Sequence, residues 1–150
     1  MLPTIEEAKK ELEIASQLNP GPWIKHSLNV GIAARNIARK VPELDENKAY
    51  IVGMLHDIGR RVGIVNIPKH VYEGYMYSVE KGWDEVAKIC MTHSYPLMKE
   101  EFNYEPNSEE EKVIKEYISK CQIDDYDKLI QGEKEEIKND SSGSTISKSL

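Results

Sequence analysis

The sequence predicts an all-α fold, an irregular bundle of six to seven helices. Apolar residues recur at three- and four-residue steps along most of the first 131 positions. Helix-capping residues stand just before those periodic stretches. The strict alternation that marks half-buried strands is nearly absent.

Taken in order, Thr4 and Glu7 make a capping box, in which each side chain satisfies an orphan amide of the first turn. Ile5, Ala8, Leu12 and Ala15 then form one apolar stripe, broken at Asn19-Pro20-Gly21-Pro22. A second helix fits Trp23 to Lys40, stopped by Pro42. A third starts at Asp45 as N-cap and runs to about Asp57, with Gly59 as its terminator. Arg60 to Ile67 reads as a loop with a short extended flavour. Pro68 suits a first helical position and opens a helix to Gly82, followed by another from about Trp83 to Thr92 or His93. Pro96 to Asn107 is polar and irregular. Ser108 and Glu111 form a second capping box, starting a helix through Val113, Ile114, Tyr117, Ile118 and Cys121 to about Ile123; an acidic-capped turn follows at Asp124 to Gln131. From Gly132 on, only Ile137, Ile146 and Leu150 are aliphatic among 19 residues, too few to offset the ordering entropy. The expected organisation is one helical domain over 1–131 and a polar, disordered tail over 132–150.

Composition narrows the function. With 150 residues, 39% of them hydrophobic and 31% charged, and a mean hydropathy of −0.58, the chain suits a single globular domain. Its longest apolar run, Ala49 to Leu55, has seven residues, far short of the ~20 that span a bilayer. The first residues are acidic rather than basic-then-apolar, unlike a secretory signal. Cys90 and Cys121 lack CxxC spacing, which suits reduced thiols and a cytoplasmic location. Residues 1–100 carry 13 basic and 13 acidic side chains, and residues 101–150 carry 7 and 13, so the net charge of −6 sits in the second part. A nucleic acid would be repelled there, and no basic stripe compensates elsewhere. Neither a nucleic-acid nor a membrane partner is expected.

The histidines are informative by position. His26 shares a face with Val30, Ala33 and Ile37; His56 follows Val52 by four and Ala49 by seven; His93 follows Cys90 by three and Val86 by seven. Any one of them alone is most simply a core histidine with a partner on each ring nitrogen. Three inward imidazoles on three helices, with Asp57 directly after His56, favour a metal site of the kind that facing helices build. Imidazole and carboxylate without thiolate suit manganese, ferrous iron, cobalt or nickel better than a closed structural zinc site. The sequence offers no GxSxG elbow, P-loop or HExxH as another route to hydrolysis.

At these residues the sequence resembles the HD superfamily of metal-dependent phosphohydrolases. The match runs through Trp23-Ile-Lys-His-Ser27, the pair in Met54-Leu-His-Asp-Ile-Gly-Arg60, His70-Val-Tyr-Glu-Gly-Tyr75 and Thr92-His-Ser94, over about residues 20 to 131. Within the superfamily it is similar to small stand-alone bacterial HD proteins. The resemblance implies that His26, His56 and Asp57 bind a divalent metal, with Asp57 bridging or orienting the water. One or two ions are implied: in members with two metals the additional histidines ligate the second, and His70 and His93 are the candidates here. Arg60 falls where such families keep a cation near the substrate phosphate, and Arg61 and Lys69 are further candidates. For His70 a solvated or capping role is the alternative; for Arg60 it is the favourable charge after a helix C-terminus.

The implied activity is hydrolysis of a small phosphorylated compound, most plausibly a nucleotide, by attack of metal-bound water, with Trp23, Tyr72, Tyr75 or Tyr95 to stack a base. One departure stands out. The family's metal set closes with a late Asp, expected at position 134, which here is Lys134. The nearest substitutes are Asp127 and Glu133, while Asp124 and Asp125 read as capping residues. The alternative function is therefore a non-catalytic HD-like ligand-binding or regulatory module with a degraded metal site. A core shortened at its end would expose apolar surface, so a homo-oligomer is among the expected states.

Overall fold

The computed structural model describes residues 1–94 and 108–141, and over these it is all-helical, with no strand. Seven α-helices follow one another: α1 (Ile5–Leu18), α2 (Trp23–Ala38), α3 (Glu46–Leu55), α4 (Ile67–Lys81), α5 (Asp84–Thr92), α6 (Glu109–Lys120) and α7 (Asp125–Ser141). A five-residue 3-10 turn, Ile58–Val62, lies between α3 and α4. Among the described residues no helix is long and apolar enough to cross a membrane.

The caps sit where the sequence places them. Thr4 and Glu7 close both arms of the box on α1, Asp45 accepts from the Asn47 and Lys48 amides, and Ser108 accepts from the Glu111 amide, which is one arm of the box expected there. Gly82 ends α4 in the left-handed region, φ 78°, which a Cβ would strain.

Three boundaries differ from the sequence reading, each for a packing reason. The stretch expected as a loop from Arg60 begins inside the 3-10 turn. Gly59 lies within that turn rather than terminating α3, and its need is close approach: a Cβ there would stand 1.8 Å from the His70 carbonyl oxygen. The stretch expected as an acidic-capped turn at Asp124 to Gln131, with a disordered tail from Gly132, is a helix from Asp125 through Gly132 to Ser141. Asp127, Ile130 and Glu133, three residues apart, are all buried on it, and this packing outweighs the helix cost of an exposed glycine. The irregular segment expected at Pro96 to Asn107, and residues 142–150 of the expected tail, lie outside the described residues.

Two glycine contacts set the architecture. Helices α2 and α3 touch backbone to backbone, since a Cβ on Gly53 would lie 2.6 Å from Gly31 Cα. Val30, Ala34, Ala49, Val52, Met54 and Leu55 fill the core around this crossing, with Ala8, Leu12 and Ala15 of α1 packed into the same cluster. The second contact is the seat of the 3-10 turn on α4, where Gly59 meets His70 and Gly74, and Gly74 in turn faces Cys90 of α5. Val71, Met91, Ile114 and Ile118 make a smaller cluster that joins α4 and α5 to α6.

Candidate metal centre

His26 lies five residues before Gly31, and His56 three residues after Gly53. Because α2 and α3 run antiparallel through that glycine pair, both histidines arrive at the same end of the crossing, with ring centroids 5.7 Å apart. Asp57 follows His56 and starts the 3-10 turn, whose seat on α4 delivers it to His70 in the first turn of that helix. His93 closes α5 at its C-cap and stacks edge-on against both His56 and His70, at 5.1 and 5.4 Å.

Five predicted residues thus come together as two groups that share Asp57. His26, His56 and Asp57 offer ligand atoms within 4.8 Å of one another, as do Asp57, His70 and His93. All but His26 are buried. Asp57 serves the two groups with different oxygens. Oδ1 lies 3.0 Å from His70 Nε2 and 2.8 Å from His93 Nε2, while Oδ2 lies 3.7 Å from His56 Nε2 and 3.2 Å from Arg60 Nε.

Proton positions follow from the backbone. A carbonyl only accepts, so His56 Nδ1 donates to Gly53 O at 2.6 Å and His93 Nδ1 donates to Cys90 O at 2.9 Å. Both Nε2 atoms are thereby turned toward Asp57, the orientation in which metal-ligating imidazoles are commonly held. His56 Nε2 is buried with no hydrogen-bond partner. Burial, with His93 and His26 adding to it, overrides the attraction of Asp57 and lowers the His56 pKa to about 3, so its ring is neutral at pH 7. Burial by itself would raise the Asp57 carboxyl, but the proton charge available to the facing His56, His70 and His93 imidazoles outweighs it and holds Asp57 well below the ordinary carboxylate range. A buried carboxylate facing several imidazole nitrogens needs positive charge among them, supplied by protons or by a cation. The orphaned His56 nitrogen and the purely N/O donor set fit a divalent ion.

Other predicted residues lie elsewhere. Asp127 is in neither group: its Oδ1 accepts from the Thr92 hydroxyl at 2.8 Å, and its Oδ2 meets Lys88 Nζ at 2.9 Å and the Asp124 amide at 2.9 Å. Asp124 caps α7 by accepting from the Tyr126 and Asp127 amides. Arg61 lies over the Tyr77 ring at 4.1 Å, and Lys69 pairs with Glu73 on its own helix at 3.2 Å. Tyr72 and Tyr75 pack in the small cluster and Trp23 against the main core; Tyr95 lies outside the described residues. Glu133 is buried on α7, and the side chain of Lys134 lies outside the described residues.

Sequence reasoning missed the supports: Thr92 and Lys88 around Asp127, Gly59 and Gly74 under the turn, and Asn19 against Arg60. Thr92, next to His93, carried a weak signal. Asn19 carried none, because its contact spans 41 residues to a backbone oxygen.

A family model described as HD domain matches residues 23–130. No curated protein and no solved structure matches the chain.

Proposed function

The chain belongs to the HD domain family, a superfamily of metal-dependent hydrolases, and from that membership we propose that it hydrolyses a small phosphorylated compound, most plausibly a nucleotide. The observation that carries this reading is Asp57, a buried carboxylate placed between two sets of imidazoles with each oxygen turned to one of them. His26, His56 and Asp57 would hold one divalent ion, and Asp57, His70 and His93 a second. Manganese, ferrous iron, cobalt or nickel suits these donors better than structural zinc. When bound, such an ion lowers the pKa of water toward ~7 and offsets charge that develops on phosphoryl oxygens.

The chain's own residues supply the rest. Gly53 and Cys90 carbonyls hold His56 and His93 in the tautomer that presents Nε2. Asp57 stays ionised and can accept a hydrogen bond from a water at either oxygen. The Arg60 guanidinium anchors Nε on Asp57 while its side chain remains about a third exposed. It is therefore placed to bind a phosphate arriving from solvent, with its other nitrogens as donors.

Protein purified without chelator, analysed for bound transition metal and assayed with p-nitrophenyl phosphate and nucleotides in manganese, cobalt or nickel, tests this reading. Stoichiometric metal and turnover are expected, both lost in His56→Ala. A metal-free protein whose stability is indifferent to His56→Ala would count against it.

A second reading, a ligand-binding or regulatory module with an altered metal site, is favoured by the engagement of Asp127 with Lys88 and Thr92, away from both groups of imidazoles. It expects metal or phosphate to bind with no ester turned over.

A further inference from the structure

Residues 1–22 lie outside the matched stretch, yet they hold the segment that carries Arg60. Asn19 is the C-cap of α1, and its Nδ2 donates to the Arg60 carbonyl oxygen at 2.7 Å. Asn19 is itself fixed from two sides. Its amide donates to Ala15 O at 2.9 Å, and its carbonyl accepts from the Trp23 indole at 2.8 Å. The same helix reaches the same segment a second way, since Glu11 accepts from the Tyr77 hydroxyl at 2.7 Å and Arg61 lies on the Tyr77 ring. Two successive residues of the 3-10 turn are thus tied to α1, one through its backbone and one through a ring.

The turn needs such ties. It has only five residues, and 3-10 hydrogen bonds are poorer than α-helical ones. It ends at Gly63, φ 127°, beyond which Ile64 is 98% exposed. The contact of Arg60 Nε with Asp57, 3.2 Å long and reached from a side chain about a third exposed, depends on where the backbone of residue 60 stands.

We infer that Asn19 is a positioning residue: by fixing the Arg60 carbonyl it keeps the Arg60 guanidinium on Asp57, so that α1 is a working part of the centre. The geometry stands without reference to any reaction; only the substrate consequence rests on the phosphohydrolase reading. Asn19→Asp is the informative change, because it keeps the shape of the side chain, removes the donor and sets an oxygen against the Arg60 carbonyl.

The test uses the full chain. The first measurement is solvent exchange of the Arg60 Nε–H, followed by nitrogen-edited NMR and assigned with Arg60→Lys. Losing one hydrogen bond of ordinary worth should speed this exchange roughly threefold to tenfold in Asn19→Asp, with helix content unchanged by circular dichroism. Trp23→Phe, which frees the Asn19 carbonyl but leaves its side chain, should give a smaller increase and serves if Asn19→Asp folds poorly. The second measurement is inorganic phosphate binding to the manganese-loaded chain. Asn19→Asp should weaken phosphate by a similar factor, leave the manganese affinity unchanged and have no added effect in an Arg60→Ala background. Unchanged Arg60 exchange in both variants, or fully additive losses in the double variant, would overturn the inference. If the wild type turns over no ester, the phosphohydrolase reading fails by itself, and the exchange measurement still decides the role of Asn19.

Discussion

Gly59→Ala puts the seat of the 3-10 turn to a direct test. The added Cβ would stand 1.8 Å from the His70 carbonyl oxygen, 2.6 Å from the Gly74 nitrogen and 2.8 Å from the His70 carbonyl carbon. Ordinary contact begins near 3.4 Å, so the turn and α4 must part by about 1.5 Å. The atoms in the way are backbone and cannot swing aside as a flexible side chain would. Overpacking typically costs about 1–3 kcal/mol, and this position belongs at the upper end. For a chain of this size, 3 kcal/mol corresponds to a fall of roughly 6–12 °C in Tm. A parting of that size also opens the 3.0 Å contact between Asp57 and His70 beyond hydrogen-bond reach. Thermal unfolding by circular dichroism and manganese binding by calorimetry read the two effects. We expect the Tm fall together with at least a tenfold loss of metal affinity, the scale seen when supports around metal ligands are removed. A variant with wild-type Tm and wild-type manganese affinity would refute the claim that this glycine contact sets the distance between Asp57 and His70.

The same reasoning gives the opposite sign at Gly132, where a Cβ meets nothing within 4 Å inside α7. Gly132→Ala should stabilise the chain by about 0.5–1 kcal/mol, seen as a Tm rise, and a fall would show that α7 does not run through this position. Asp127→Ala leaves Lys88 and Thr92 without their shared carboxylate; with Lys88 still part-exposed and near Asp124, the expected cost is about 2 kcal/mol. Manganese stoichiometry should be unchanged in that variant, and loss of one ion would make Asp127 a ligand after all. At high pH, burial raises the Tyr77 and Tyr117 phenols to about 12, with Glu11 assisting at Tyr77, whereas free phenols ionise near about 10. Their contribution to stability is therefore present below about pH 10 and lost as pH rises from there through about 12. Absorbance at 295 nm alongside unfolding checks this, and all tyrosines ionising near 10 in a still-folded chain would contradict it.

What was legible in the sequence and what was not divides along a physical line. Local patterns carried the helices: a capping box at Thr4 and Glu7 or an N-cap at Asp45 is a contact between residues a few positions apart. The convergence of His26, His56 and His93 was legible because each imidazole follows the apolar spacing of its own helix: His26 stands four residues before buried Val30, and His56 and His93 are the buried C-caps of α3 and α5. Gly59 was visible as a glycine but not as a contact, since its demand comes from His70, eleven residues on and in another helix. The start of the expected tail differs for a related reason: the scarcity of aliphatic residues after Gly132 is a local count, whereas the burial of Asp127, Ile130 and Glu133 that carries α7 past it is tertiary. Asn19 lay furthest from view because its partner is a backbone oxygen, which no side-chain pattern reports.

The two halves of the centre rest on different supports, and this separates them experimentally. His26 and His56 are brought together by the crossing of α2 and α3, where Gly53 would direct a Cβ to 2.6 Å from Gly31 Cα. His70 and His93 meet Asp57 through the turn on α4 and the packing of α4 against α5. Gly53→Ala should therefore spread the first pair and spare the second, while Gly59→Ala does the reverse. Cobalt-loaded samples would show this as selective loss of the paramagnetically shifted imidazole signals, His26 and His56 in one variant, His70 and His93 in the other. Asp57 belongs to both groups, so some weakening of the spared pair is expected, but not its disappearance. Loss of all four signals in each variant would mean that the centre is one indivisible unit, held together by Asp57 rather than by the two glycine contacts.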